Sequence, residues 1–577
     1  MKKTVLISFT ILCLLSTVFL MGLTFNIKTI KAGGTIYIRA DGSIDPPMAS
    51  ISSLDNIMYT FTDNIYDSIV IERNNMILDG AGYTLQGAGS GCGINLLGRN
   101  NVTVKNTEIK EFSQGIVLSF ESSPSSNLDI CQNIIPNNDG GPGITGSSLS
   151  NSSISGNTIT NNNYGIILRY YSFNNVIAGN NITANLWEGL TFFSCMHNTV
   201  SENHMASNEY GMWIQNSYSN VISGNNMTAN TSNAILIGGD SSNNTISGNY
   251  IADAEYGLCL SASNNSVFGN TLMTNKGIWL SGASNNHIYH NTFHNNHEQV
   301  YDIAWYHPEK EPSVNTWDNG YPSGGNYWSN YTGVDSDPDG IGDIKYVIDA
   351  NNTDYYPLMG TFSNFKATSK YHVQTICNSS ISDFEFNMTT ISFNVLGENG
   401  TTGFCRICIP TALMADTYTV FVNGTEVPHA LLPCSNSTHS FLYFTYQHST
   451  HEVVIQGLDT ALPTISVLSP ENKTYSVDGV SLTFTVSEST SWFGYSLDGQ
   501  ANVTITGNKT LSDLSDGLHD LIVYANDTAG NMGASEMVYF TIEIQQEEAF
   551  PIEIAAVIVI IGVAGAVVFI YFTKFKK

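Results

Sequence analysis

Nine stretches of this chain are near-copies of one another. They are NVTVKNTEI (from Asn101), NLDICQNII (Asn127), NSSISGNTI (Asn151), NVIAGNNIT (Asn175), NTVSENHMA (Asn198), NVISGNNMT (Asn220), NTISGNYIA (Asn244), NSVFGNTLM (Asn265) and NHIYHNTFH (Asn286). Each is followed by a second short apolar run of the form G-I-x-L, such as Gly115-Ile116-Val117-Leu118 or Gly277-Ile278-Trp279-Leu280. From about Asn75 to Asn315 the period is about 20–26 residues. A unit that short cannot enclose a core of its own, so it must bury its apolar face against its neighbours, which makes a solenoid. Runs of three to five residues with period-2 alternation are strands, and the intervening Asn and Gly supply tight turns and left-handed backbone. No helical apolar period is present, and the Leu pattern of a leucine-rich repeat is absent. The spacing predicts a parallel β-helix with two or three strands per coil. Ten coils at about 4.8 Å give a rod about 45–50 Å long. Ile and Leu should stack inside it, and the recurrent Asn should stack amide to amide as a ladder.

The opening coil differs. Ile77-Leu78-Asp79-Gly80-Ala81-Gly82-Tyr83-Thr84-Leu85-Gln86-Gly87 resembles the first turn of right-handed β-helix proteins of the pectate-lyase-like group, and residues 35–75 are expected to cap the exposed sheet edge before it. Over residues 35–360 the NxIxxNxI…GIxL units resemble the NosD-like, carbohydrate-binding/sugar-hydrolase type of right-handed β-helix, a type also found in archaeal surface proteins. The resemblance implies the fold strongly. For activity it implies only two directions, contact with carbohydrate or handling of copper.

Beyond the rod, Asp335, Asp337, Asp339 and Asp343 form D-x-D-x-D-G-x-x-D, alternate carboxylates around a glycine turn that can converge on a hard cation such as calcium. Tyr346 stands where an EF-hand would have Glu, so this is not an EF-hand; a solvated acidic turn is the alternative. Residues 361–460 alternate like a β-sandwich, and residues 461–545 resemble the immunoglobulin-like modules of prokaryotic surface proteins. Cys377, Cys405, Cys408 and Cys434 fall in the first of these. With no second CxxC, Cys405-x-x-Cys408 reads as structural thiols or disulfides rather than zinc.

The ends set the compartment. Lys2-Lys3 and the apolar run to Phe25 read as a signal peptide over 1–32. Residues 551–573 carry an uncharged stretch, Ile554 to Phe572, long enough to cross a bilayer at about 1.5 Å per residue. Basic residues in the tail 574–577 place that tail in the cytosol and residues 33–550 outside. About eighteen Asn-x-Ser/Thr acceptors fit an exterior glycoprotein. Lys and Arg number 21 against 49 Asp and Glu, and seven of the lysines lie at the two ends. Such a surface repels phosphate, so no nucleic-acid partner is expected.

Three constellations bear on chemistry. His287, His290, His294 and His297 in HIYHNTFHNNH offer imidazoles for copper or zinc, though His287 and His290 stand on opposite faces of an extended run. Glu188, Glu209 and Glu255 fall at or just before the residue preceding the G-I-x-L glycine, a possible register of carboxylates, but no acid/base pair is evident and no catalytic residue is assigned. Trp187, Trp213, Trp279, Tyr170 and Tyr171 are aromatic at outward positions, where rings can stack on sugars. The reading is an all-β chain: a right-handed parallel β-helix, two β-sandwich domains and a C-terminal transmembrane helix. It is expected to be a single-pass surface protein that binds carbohydrate or a cell-surface protein without catalysis. An extracellular polysaccharide lyase or hydrolase and a copper-handling protein are the alternatives.

Overall fold

The computed structural model describes residues 34–414, 417–457 and 462–544. The expected signal peptide, membrane span and cytoplasmic tail lie outside these residues. Among the described residues no helix is long and apolar enough to cross a membrane.

The repeats wind into a right-handed β-solenoid with three strands per coil, forming two thirteen-stranded sheets and one of eleven strands. The G-I-x-L runs make sheet one, the segments after the first Asn of each unit make sheet two, and those after its second Asn make sheet three. One coil shows the pattern: Tyr164–Arg169 in sheet one, Val176–Ala178 in sheet two and Asn181–Thr183 in sheet three, before Glu188–Phe193 re-enters sheet one. The coils are in register. Ile154 pairs with Ile177, Ile177 with Val200 and Val200 with Ile222, so like side chains stack along the axis in a continuous buried core.

The asparagines form three ladders rather than one, because every corner of the coil carries its own. Asn175, Asn198, Asn220, Asn244, Asn265 and Asn286 line one corner; Asn157, Asn180, Asn203, Asn225, Asn249, Asn270 and Asn291 the next; Asn138, Asn162, Asn185, Asn208 and Asn230 the third. Asn180 shows the bonding. Its backbone N–H and its Nδ2 both donate to Asn203 Oδ1, at 3.0 and 2.9 Å, and Nδ2 also donates to Ile154 O at 2.8 Å. A residue of left-handed conformation precedes each ladder Asn, for instance Gly179 (φ 62°), Ala184 (φ 54°), His197 (φ 55°) and Glu202 (φ 57°). The side-chain amide therefore satisfies backbone groups that a sharp inward corner would otherwise leave buried and unpaired. The glycine of G-I-x-L has another cause: a Cβ on Gly165 would lie 2.2 Å from Gly189 O of the next coil.

Both rod ends are closed. At the start, Ile44–Asp45 and Ile51–Ser52 run antiparallel to the first coil strands and cover its edge. At the other end Phe293, Trp328 and Tyr346 stack with ring centroids 4.2 and 4.4 Å apart, with Trp317 buried beside them. Two further pairs of sheets follow. Residues 361–456 form two five-stranded antiparallel sheets around one core, and residues 465–542 form a three- and a six-stranded sheet around another. Cys405 and Cys408 are three apart on one strand and so point to opposite faces. Cys405 sits in the core opposite Cys377, which rules out a shared metal for the CxxC pair.

Candidate functional site

The outer face of sheet one concentrates the chain's unspent chemistry. In each G-I-x-L strand the I and L point into the core, so x points out. Register aligns these outward residues into one unbroken row: Val117, Thr145, Ile167, Thr191, Trp213, Leu236, Cys259, Trp279 and Tyr301. Eight steps of about 4.8 Å make it about 38 Å long. Beside it runs a second row from the first residue of these strands, in which Glu188 pairs with Tyr210, Asn233 with Tyr256, Tyr256 with Lys276 and Lys276 with Glu298. Val117, Ile167 and Cys259 are buried although they lie outside the internal core cluster, so this face is sheltered by the turns at its margins.

Three buried polar atoms without a hydrogen-bond partner fall together on two adjacent strands here: Glu188 Oε2, Thr191 Oγ1 and Trp213 Nε1. Most buried polar groups are satisfied, so these three stand out as polar atoms free to bond a group from outside the chain. Glu188 is only 6% exposed, and its carboxyl is pushed above the usual range, first by burial and further by the Glu209 charge. Glu255 is an exposed turn residue whose Oε1 accepts from Asn275 Nδ2 at 2.9 Å. The carboxylate the sequence made least conspicuous is thus the one with a distinctive environment. Its position directly before Gly189, one residue later than Glu209 and Glu255 stand before theirs, is what puts it in the strand.

Rings crowd the same face. Tyr210 lies 6.2 Å from Trp213 and Tyr256 5.8 Å from Trp279, while Lys276 Nζ sits 5.1 Å from the Tyr256 centroid and 4.7 Å from that of Tyr301. The five aromatic residues singled out from sequence divide between floor and walls. Trp213 and Trp279 belong to the outward row. Trp187 is exposed at the corner entering sheet one, whereas Tyr170 and Tyr171 are exposed at the corner leaving it. Tyr170 and Tyr171 both hold left-handed backbone (φ 39° and 60°), which is unfavourable for bulky residues, and Tyr170 packs edge-on against Phe193 at 5.6 Å.

The metal candidates fare unequally. Ligand oxygens of Asp335, Asp337 and Asp339 lie within 4.8 Å of one another. Asp343 does not join them: it accepts from the Ser336 N–H at 2.7 Å. Burial raises the Asp335 carboxyl, and the Asp339 and Asp337 charges raise it further. The four histidines do not converge on one point, because they are spread around one coil and its corners. His287 is on sheet two with Nε2 bonded to Asp318 O, and His290 is a left-handed corner residue (φ 57°) whose Nε2 bonds Ser323 O. His294 lies just past sheet three, and His297 is exposed before sheet one. His290 is stacked 3.8 Å from Phe362, and burial lowers its pKa to about 4.

Residues 185–333 match the family described as periplasmic copper-binding protein (NosD), and residues 29–182 and 92–249 match the right handed beta helix region. Halomucin of Haloquadratum walsbyi is 42% identical over 93 residues, which is 15% of this chain and 1% of that protein. Among solved structures, the mannuronan C-5 epimerase AlgE6 A-module of Azotobacter vinelandii aligns at 17% identity, covering 47% of this chain and 87% of the module with a TM-score of 0.34. An alginate lyase from Paenibacillus sp. aligns at 13% identity over 43% of this chain and 98% of its own, with a TM-score of 0.28. Likenesses this distant say nothing about chemistry.

Proposed function

We propose that this chain, a NosD-like right-handed β-helix protein, binds polysaccharide along the outer face of sheet one. The observation that carries the reading is the cluster of unpartnered Glu188 Oε2, Thr191 Oγ1 and Trp213 Nε1 on a sheet face that also holds Trp279 and Tyr301. Flat rings give apolar contact to sugar faces, and the unsatisfied polar atoms give hydrogen bonds to hydroxyls. The formal net charge of −28 opposes polyuronates, so the ligand is a neutral polymer. The apolar segment at 554–572 would anchor the chain at the cell surface. The last two sheet pairs, the second read as immunoglobulin-like, would serve as a stalk.

Affinity electrophoresis of the full-length chain in gels containing neutral glucans, mannans or alginate tests this. Retardation is expected in a neutral gel, and the Trp213→Ala/Trp279→Ala variant should lose about 10-fold or more in affinity with its melting temperature retained. Retardation by alginate alone, or an unaffected variant, would contradict the proposal.

Glu188 favours a second reading, cleavage of the bound polymer. A carboxyl whose pKa is raised by burial, and further by the Glu209 charge, has the kind of environment a general acid needs. Turnover abolished by Glu188→Gln with binding kept would establish it, and absence of any reducing-end release would remove it. We infer in addition that Asp335, Asp337 and Asp339 hold calcium, the hard cation suited to three converging carboxylates. No corresponding reading for copper is supported by the dispersed histidines. Copper affinity of the full-length chain should be unchanged when His287, His290, His294 and His297 are all replaced by Asn.

A further inference from the structure

A second site lies at the seam where the rod's last turn meets the sheet containing Thr402–Pro410. A cavity of about 240 Å³ opens there, with walls formed by Pro322, Phe362, Ile376 and Phe441 and a mouth beside the exposed Asn436 and His439. The walls are mostly apolar, with Ser323, Gln374, Thr375 and Arg406 as polar exceptions. Arg406 lines the cavity and is 2% exposed.

Arg406 has no carboxylate partner among the described residues. Its Nη2 donates to Pro322 O at 2.7 Å and approaches Cys434 Sγ at 3.9 Å, and its guanidinium carbon lies 5.0 Å from the Phe441 ring centroid. A guanidinium carries five N–H donors, and Nε here is buried with no partner. Thr375 Oγ1, in the same lining, is likewise buried and unpartnered. The acidic loop is close, since a Cβ on Gly340 would lie 3.3 Å from Arg406 Cβ, yet none of its carboxylates forms an ion pair with Arg406. Asp335 accepts from the N–H groups of Asp339 and Gly340, and Asp339 Oδ1 accepts from that of Ile341.

A buried cation without a counter-charge is among the costliest arrangements a fold can hold. The backbone carbonyl of Pro322 and the Phe441 ring offset part of that, but neither neutralises the charge. A carboxylate does, because its two oxygens match the guanidinium fork. Phosphate or sulfate fits less well, since Arg406 is the one permanent cation in the lining and cannot neutralise a multivalent oxyanion inside mostly apolar walls. The volume sets the rest of the ligand. An apolar cavity of about 150 Å³ accommodates benzene, so this one takes a ring or branched alkyl group together with its carboxylate. We propose that the cavity is a binding site for a compact apolar monocarboxylate, with Arg406 and Thr375 holding the carboxylate and Phe362, Ile376 and Phe441 enclosing the body.

Phenylacetate and its uncharged counterpart phenylacetamide distinguish this from a purely structural arginine. In calorimetric titration of the full-length chain, phenylacetate should bind saturably at one site, and the amide about 10-fold or more weakly. Arg406→Met, which keeps length and apolar contact, should abolish that preference for the acid. Thr375→Val should weaken the acid several-fold without changing the melting temperature of the ligand-free chain. Equal affinity for acid and amide, no saturable binding of either, or full retention of the preference in Arg406→Met would each overturn the proposal. Should Arg406→Met fail to fold, Thr375→Val decides alone: unchanged phenylacetate affinity in that variant overturns it.

Discussion

Single residues in the coils carry tasks that their types alone do not announce. Gly165 and Gly179 look equivalent in sequence, but they differ in consequence. A Cβ at Gly165 meets Gly189 O at 2.2 Å, whereas at Gly179 nothing lies within 4 Å and only the positive φ resists substitution. Gly179→Ala should cost about 1–2 kcal/mol in urea denaturation. Gly165→Ala should cost more, because two coils must part. Among asparagines, Asn203→Ala removes buried donors to Asn225 Oδ1 and Ile177 O and the acceptor for Asn180, so a loss of about 2–4 kcal/mol is expected. The exposed Asn226→Ala should stay within about 0.5 kcal/mol.

Two buried groups predict opposing pH slopes. Asp354 ends the second ladder, accepting from Asn326 N and Trp328 Nε1 at 2.8 Å, and burial raises its pKa to about 7. The folded chain therefore keeps this proton where the unfolded chain has lost it, and its contribution falls as pH rises from about 4 to 7. His290, lowered to about 4, behaves oppositely: the unfolded chain holds the extra proton, so stability rises between about pH 4 and 6.5. Asp354→Asn should thus expose a rising stability over that window, and His290→Asn a falling one, as read from urea midpoints at pH 4.5, 5.5 and 6.5.

At the scale of elements, the strands were legible because stacking repeats the same demand in every coil, and the demand writes itself as N-x-I-x-x-N. Three ladders were not distinguished from one, since all three corners use the same residue type. The outer rows were nearly illegible. No neighbour imposes a type on an outward position, so Thr191, Trp213 and Leu236 share no pattern, and only register shows them aligned. Likewise the spacing of Asp335 to Asp343 suggested four ligands where the loop gathers three, because Asp343 turns to the Ser336 N–H. With calcium in that loop, chelation should lower the melting temperature of the full-length chain, and Asp337→Asn should lessen the response. The aromatic end cap depends on packing rather than repetition. Trp328→Ala, emptying the space between Phe293 and Tyr346, should cost about 3–5 kcal/mol and expose the last coil to edge pairing.

For the molecule as a whole, closed ends and a continuous core leave a rod whose sides differ in kind. Sheets two and three present mostly short polar outward residues, such as Ser201, Ser223 and Thr228, with scattered apolar ones such as Val176, Val221 and Tyr250, whereas sheet one lines up Trp213, Trp279 and Tyr301 beside ionisable Glu188, Lys276 and Glu298. Polysaccharide binding is therefore expected on one side of the rod only. The structure of the full-length chain bound to the neutral oligosaccharide it retains best examines this without intermediaries. Sugar rings are expected over Thr191, Trp213 and Trp279 on sheet one. Sugar located on sheets two or three, or on the C-terminal sheets, with sheet one bare, would contradict the account.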